Sequence, residues 1–415
     1  MTPVQDTLPG VTPFDGSPAP EPAPVADDER LARAALTRVV EPDDLLVTRL
    51  VHDVGAVLVW DALRRDDTTL PPAVRDATRP RVRGTHPEKD LAALAALGGR
   101  FLCPGDPEWP TSLADLGVPG ETRRDSRGRP RAAQPLGLWV RGPLDLRMTE
   151  RSVAVIGSRA ATGYGGYVAR QLGAELAERG WAVVSGGALG IDGAGHEGAL
   201  SAGGATVAVL ACGVDTAYPP ANARLLAQIA AEGLVLSEWP PGCSPMRHRF
   251  LTRNRVIAAL ARGVVVVEAA FRSGTLSTVG AARDLGRHIM AVPGPVTSAM
   301  SGGCLALIRE DGVAVADAAQ VIELVGRIGD DLAPAPTSEE RPRDTLSSDH
   351  QRVLDAVPVR RGVSPDGVAA TAGLPLLTVI AALNELCATG WVVRDDRGAV
   401  RLAPRSAPAR HPSGP

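Results

Sequence analysis

The chain has 415 residues, 44% of them hydrophobic and 22% charged, with a formal net charge of −3. That length exceeds one ordinary domain and its apolar content suffices for a core, so two or three domains are expected and a wholly disordered chain is excluded. The charge excludes a polycation that wraps nucleic acid over its whole surface, so any such contact has to be a local patch. Of the 44 basic residues only Lys89 is a lysine, and aromatics make up 3%, so each aromatic side chain is informative. The five cysteines, Cys103, Cys212, Cys243, Cys304 and Cys387, are widely spaced without a Cys-x-x-Cys pair. This argues against a disulfide framework or zinc ribbon and fits a reducing cytoplasm. No apolar run reaches the roughly 18–20 residues that span a bilayer. The first 25 residues hold seven prolines and no basic segment, which is not a signal peptide.

In chain order, residues 1–28 are Pro- and Ala-rich and read as a disordered tail. Residues 29–100 repeat apolar positions at helical spacing (Leu31, Ala35, Leu36; Leu45, Val47, Leu50; Val57 to Leu63) and form a small helical domain. A connecting segment, 101–134, reads as irregular and carries an Arg-rich loop from Arg123 to Arg131, most simply a solvated insertion. Residues 135–325 change character. Short apolar runs, Ser152–Ile156, Trp181–Val184, Ala205–Ala211, Leu234–Ser237, Val264–Val267 and Ile289–Val292, alternate with helical patterns. Such runs predict a parallel sheet covered by helices on both faces, with ligands bound at the carboxyl edge of its strands. A polar linker is expected over 326–345. Residues 346–403 then read helix, helix, helix, hairpin, which is a winged-helix pattern, and 404–415 form a second loose tail.

The expected strand ends carry the chemistry. The first turn reads Gly157-Ser158-Arg159 and is followed by Gly163-Tyr-Gly165-Gly166. It is not Gly-x-Gly-x-x-Gly, so a dinucleotide fingerprint is not supported. Gly157 still permits close backbone approach, the next helix start offers free amides to an anion, and Arg159 is able to grip a phosphate with two bonds. A tight turn with a surface arginine is the plainer alternative. The second turn joins Ser185-Gly186 to Gly190-Ile-Asp192, with His196 one helical turn on. Asp192 is placed to cap that helix, and with His196 to shape the turn. A metal or acid–base pair is the sharper alternative, but no third ligand follows at metal spacing. The densest feature is Arg247-His-Arg249-Phe250-Leu-Thr-Arg253-Asn254-Arg255, four arginines in nine residues with no acid among them. Arginines track a phosphate backbone and an aromatic ring stacks a base. A solvated helix start with Phe250 in the core is the alternative. Glu268 ends a strand before Arg272-Ser273-Gly274-Thr275, again an anion-binding turn, and Pro293-Gly294 closes the next strand.

Taken in order, these motifs, together with Tyr164-Gly165, Tyr218-Pro219 and Ser237-Glu238, resemble the DNA-processing protein A family (DprA/Smf) over about residues 135–320. The resemblance implies a Rossmann-like central domain, a SAM-like helical domain before it and a winged helix after it. It implies a non-enzymatic, cytoplasmic binder of single-stranded DNA that protects incoming DNA and loads the RecA recombinase in natural transformation, and that forms a homodimer. By position the family's DNA contacts fall on Arg159, Arg247, Phe250, Arg253, Asn254 and Arg255, and the strand-end turn residues Gly157, Ser158, Ser185, Gly186, Ser273, Gly274 and Thr275 are expected to bind DNA with them. Asp192, His196, Pro293 and Gly294 shape turns, and no metal, cofactor or membrane contact is implied. Leu305 departs from the family pattern, where a polar residue is expected.

Two other classes compete. The same superfamily includes nucleotide phosphoribohydrolases, but here Pro293-Gly294 runs into Pro295, and Ser273-Gly-Thr275 lacks a preceding Pro-Gly-Gly. A pure interaction scaffold is the other. A nuclease needs clustered carboxylates for metal ions, and none stands out.

Overall fold

The computed structural model describes residues 25–117, 133–271, 273–327, 331, 343 and 345–404. The Arg123–Arg131 loop, Arg272, most of the expected linker and nearly all of both tails lie outside the described residues. Residues 1–334 make one unit and 335–415 a second.

The first unit opens with five helices, α1 Asp27–Val39, α2 Leu45–Val54, α3 Ala56–Arg64, α4 Pro72–Val82 and α5 Pro87–Ala96. Their limits follow local chemistry. Acids fill the first turn of α1 and Arg38 its last, matching the helix dipole. Asp44 caps α2 by accepting the amides of Leu46 and Val47, both at 3.0 Å. Prolines start α4 and α5. The apolar stripes meet in a core of Leu36, Val39, Val47, Val51, Val59 and Trp60.

The rest of the unit alternates strand and helix: β1 Gly99–Leu102, β2 Leu138–Arg141, β3 Ser152–Ile156, α6 Gly163–Glu178, β4 Ala182–Ser185, α7 Ile191–Ser201, β5 Thr206–Leu210, α8 Ala223–Glu232, β6 Leu234–Ser237, α9 Arg249–Leu260, β7 Gly263–Val266, α10 Thr275–Asp284, β8 His288–Ala291, α11 Gly302–Glu310, β9 Val313–Ala314 and α12 Ala318–Val325. The sheet order is β1-β2-β6-β5-β4-β3-β7-β8-β9. From β6 to β9 all pairs are parallel; β2 lies antiparallel to β6, and β1 to β2. The segment expected to be irregular, 101–134, begins inside β1 and is followed by β2, and these two form an antiparallel sheet edge. Each of its strands is only four residues long, too short for a pattern of its own, and finds its partner by pairing.

Alternate strand residues face opposite layers, as the pleat requires. Ala154, Ile156, Val184, Val207, Val264 and Val266 pack under α9, α10 and α11. Val153, Val155, Val183 and Val265 pack against α6, α7 and α12. Each such buried valine or isoleucine contributes about 1.5–3 kcal/mol. The first helices join this body through Trp139 of β2, whose indole nitrogen donates to Thr37 Oγ1 at 3.1 Å.

The second unit holds α13 Ser348–Ala356, α14 Pro365–Ala372 and α15 Leu376–Ala388, then the antiparallel pair β10 Val392–Arg394 and β11 Val400–Leu402. Ser347 and Ser364 cap α13 and α14, and Gly373, in the left-handed region, ends α14. Val353, Val368, Val379, Leu383, Leu386, Val392 and Val400 form its core. Among the described residues, no single helix is long and apolar enough to cross a membrane.

Candidate functional site

From β3 the chain winds outward through β4, β5 and β6, then returns to place β7 on the other side of β3. The strand order reverses between β3 and β7, and at such a point the loops leaving the two strands part to open a crevice. A cleft of about 770 Å³ lies there. It gathers Gly157, Ser158 and Arg159 after β3, Ser273, Gly274 and Thr275 before α10, and Arg247, Phe250, Arg253 and Asn254 at the start of α9. Ten of the residues singled out as DNA contacts, spread over about 120 positions, thus share one cavity.

The first wall is locked by the backbone. A Cβ on Gly157 would lie 2.6 Å from the Ile191 side chain and 2.8 Å from the Glu268 carbonyl oxygen, so only glycine fits. The Ser158 amide donates to that carbonyl at 2.7 Å. Thr275 Oγ1 donates to the Gly157 carbonyl at 3.0 Å, and Ser273 Oγ to Thr275 Oγ1 at 2.8 Å, which ties the two loops together. The Glu268 side chain, buried beneath, accepts from the Thr162 amide at 2.9 Å and its hydroxyl at 2.6 Å. Above this frame Arg159 is exposed, and among the described residues it has no acidic partner. Its guanidinium stands 5.3 Å from the centre of the Phe250 ring.

The opposite wall is the start of α9. Arg247 is exposed and likewise unpaired among the described residues. Phe250 is half-buried, with its ring 5.5 Å from that of Tyr218. Asn254 Nδ2 donates to Ser277 Oγ at 2.6 Å and so joins α9 to α10. Arg253 forms the floor. It is 5% exposed, donates to the Gly186 carbonyl at 2.8 Å and to that of Val209, and leaves Gly186 no room for a side chain. Burial lowers its pKa to about 10, and nearby Asp192 opposes that shift, so it stays cationic at neutral pH.

Four expected roles change. Asp192 does not cap α7: Gly190 holds the cap position with φ 77°, and Asp192, one residue inside the helix, accepts the Gly186 amide at 3.2 Å. Burial raises its carboxyl pKa, while Arg253 and the backbone amides of Ala188, Gly186 and Gly157 pull it back. Ser185 is buried, donates to the Val155 carbonyl at 2.6 Å and does not line the cleft. Gly186 serves as seat for Arg253 rather than as lining. Arg255 points away, into a buried ion pair with Glu238 at 2.7 Å, with Asp43 at 3.5 Å. Sequence spacing assigns arginines to a helix; it does not say which face of the helix meets an acid from a distant segment.

The turn residues also have defined places. His196 is fully buried with Nδ1 2.7 Å from Thr206 Oγ1, and burial drives its pKa to about 3, so it is a neutral packing residue. The Pro293 carbonyl accepts from the Tyr164 hydroxyl at 2.7 Å, and Gly294 sits against Ser301, both away from the cleft lining. Among the described residues no group of three His, Cys, Asp or Glu is arranged to hold a metal ion. Tyr218 is the lining residue that sequence reasoning treated only as a landmark; the scarcity of aromatics was the available signal.

A mixed, largely parallel sheet flanked by helices, with a cationic and aromatic cleft at its switch point, defines a Rossmann-like binding protein. The family model for DNA recombination-mediator protein A matches residues 100–326. A Mycobacterium tuberculosis protein named for DNA processing protein DprA is 43% identical over 392 residues, covering 92% of this chain and 99% of its own. Protein Smf of Escherichia coli is 37% identical over 275 residues, with 65% and 72% covered. The X-ray structure of DNA processing protein A from Streptococcus pneumoniae aligns with a TM-score of 0.59 at 30% identity, covering 73% of this chain and 99% of that one. The chain belongs to the DNA-processing protein A (DprA/Smf) family.

Proposed function

We propose that the chain binds single-stranded DNA in this cleft, protects it, and loads the RecA recombinase onto it in natural transformation and recombination, without catalysing a reaction itself. The observation that carries the reading is the grouping of Phe250 with the Arg159 guanidinium and the Tyr218 ring in one cleft, with Arg247 unpaired at the rim among the described residues. A base lies on the half-buried ring, while Arg159 and Arg247 take the flanking phosphates. A single strand offers bare base faces for this; a duplex keeps them stacked and has to be opened first.

The finer architecture belongs to the same proposal. The first helices act as a SAM-like domain, residues 346–403 as a winged helix, and the protein works in the cytoplasm as a homodimer. The test is a titration of labelled single- and double-stranded oligonucleotides of equal sequence at two salt concentrations. Tighter binding of the single strand, lost in Arg159→Ala and Phe250→Ala, is the expected result. Equal affinity for both forms, insensitive to these variants, defeats the reading. RecA loading is tested separately, by the lag before filament growth on a single strand with and without this protein.

A further inference from the structure

Helix α9 is held from both sides. One set of its residues, Phe250, Arg253 and Asn254, lines the cleft. Another set is gripped by the short segment between α1 and α2. Glu41 accepts from Arg249 at two points, Nη2 at 2.7 Å and Nε at 3.1 Å. The same carboxylate accepts from the Trp239 indole at 3.1 Å and lies 3.4 Å from Arg81 and 3.7 Å from His248. Arg249 also stacks over the Trp239 ring at 5.3 Å and donates to the Ser244 carbonyl at 2.9 Å. Two residues after Glu41, Asp43 lies 3.5 Å from Arg255 and accepts the Ala133 amide at 2.7 Å.

Asp43 holds φ at 74°, a left-handed conformation that a non-glycine residue adopts at a cost. This strained turn delivers two carboxylates to two arginines of one helix. Both arginines are nearly buried, at 8% and 5% exposure, and a cation in that state is costly without its partner. The segment between α1 and α2 thus shares with Glu238, which pairs with Arg255 at 2.7 Å, in setting where α9 rests, and α9 carries Phe250 and Arg253.

We propose that Glu41 and Asp43 are positioning residues for the DNA-binding cleft: the helical segment clamps α9 through Arg249 and Arg255 and so fixes the ring and guanidinium that receive the strand. This rests on the reading of the cleft as a single-strand site. It gives the first helices a part in binding although they contribute no lining residue.

The test uses the full chain, a labelled oligothymidylate, and the variants Glu41→Gln and Asp43→Asn. Asparagine tolerates the left-handed turn, so Asp43→Asn removes charge with little change of shape. Affinity is expected to fall roughly two- to thirtyfold in the folded protein, the range through which a residue acts on a site it does not touch. The salt slope stays unchanged because no phosphate contact is lost. In DNA-free protein, amide hydrogen exchange accelerates in α9 more than in α10. Folded variants that bind like the parent, or that leave α9 exchange unaltered, overturn the proposal. If Glu41→Gln fails to fold, Asp43→Asn and Arg249→Lys decide it by the same two readouts. Arg159→Ala and Phe250→Ala run in parallel: if they too bind normally, the cleft reading has failed, whereas their weakening beside unaffected Glu41→Gln and Asp43→Asn sinks the clamp alone.

Discussion

Replacing Phe250 by alanine separates a binding ring from a packing ring. A fully buried phenylalanine costs about 3–5 kcal/mol of stability when truncated to alanine. Phe250 is half-buried and one side of it is open to the cleft, so roughly half of that, about 1.5–2.5 kcal/mol, is the expected loss. Stacking of a base contributes about 1–3 kcal/mol, which is a roughly 5- to 150-fold weakening of single-strand affinity. The salt slope should hardly move, because a ring neutralises no phosphate. The Arg159 contact adds a second handle. With the guanidinium 5.3 Å from the ring centre, a double-mutant cycle with Arg159→Ala should show coupling of about 0.5–1 kcal/mol. The assay is fluorescence anisotropy with a short labelled oligothymidylate at two salt concentrations, beside a thermal melt of each variant. A folded Phe250→Ala protein with unaltered affinity refutes the stacking argument, whatever its melting temperature.

Two further outcomes follow from charge. Arg247→Ala should reduce the slope of log affinity against log salt by about 0.7 and weaken binding to different sequences equally, since a phosphate contact carries no base information; an unchanged slope removes Arg247 from the strand's path. His196 has its pKa lowered from the ordinary 6.5 to about 3 by burial, so between those values the unfolded chain binds a proton that the folded one does not, and stability rises with pH across that window. Within it the His196 contribution approaches about 1.4 kcal/mol per pH unit; urea melts at about pH 5 and about pH 7 should show it in the parent and not in His196→Gln, and equal slopes in both contradict the assignment.

The central strands were legible because their physics is local. Val153 to Ile156 and Val264 to Val266 are buried on both faces, and that demands continuous apolar runs. The cleft was legible in its membership, since glycines, hydroxyls and arginines stand at successive strand ends. What a linear reading could not supply was the division of labour inside α9. Arg247, Arg249, Arg253 and Arg255 look alike in sequence. In the fold, Arg247 is free at the rim, Arg253 is seated on the Gly186 carbonyl, and Arg249 and Arg255 answer Glu41, Asp43 and Glu238. Those acids lie 17 to 212 positions from the arginines they answer, so the pairing is decided by tertiary contact. The edge strands β1 and β2 escaped for a related reason, because antiparallel pairing across 36 positions leaves no periodic trace in four residues.

Fold pattern and charge disagree in the C-terminal unit, and a deletion decides which is the better guide. Three helices and a hairpin suggest a DNA-reading module, in which a helix brings arginine, lysine, asparagine or glutamine to base edges. Helix α15 has no arginine or lysine, and residues 346–403 carry six arginines against six acids. Two of its polar residues are already engaged: Asn384 accepts from Arg394 at 3.0 Å, and Glu385 lies 2.9 Å from His350. Leu377 of α15 is 82% exposed, and Asn384 and Glu385 also reach solvent. A mostly apolar helix whose one charged residue is an acid gains little from phosphates, so protein contact is the expected role. Deleting residues 340–415 should therefore cost less than about threefold in single-strand affinity and leave the salt slope intact. The clustered alternative, with Arg360, Arg361, Arg394 and Arg397 acting as one patch, requires a lower slope and a loss of about tenfold or more. That result, obtained with the remaining protein still folded, would make the helix–hairpin pattern and not the charge count the correct basis for assigning the unit.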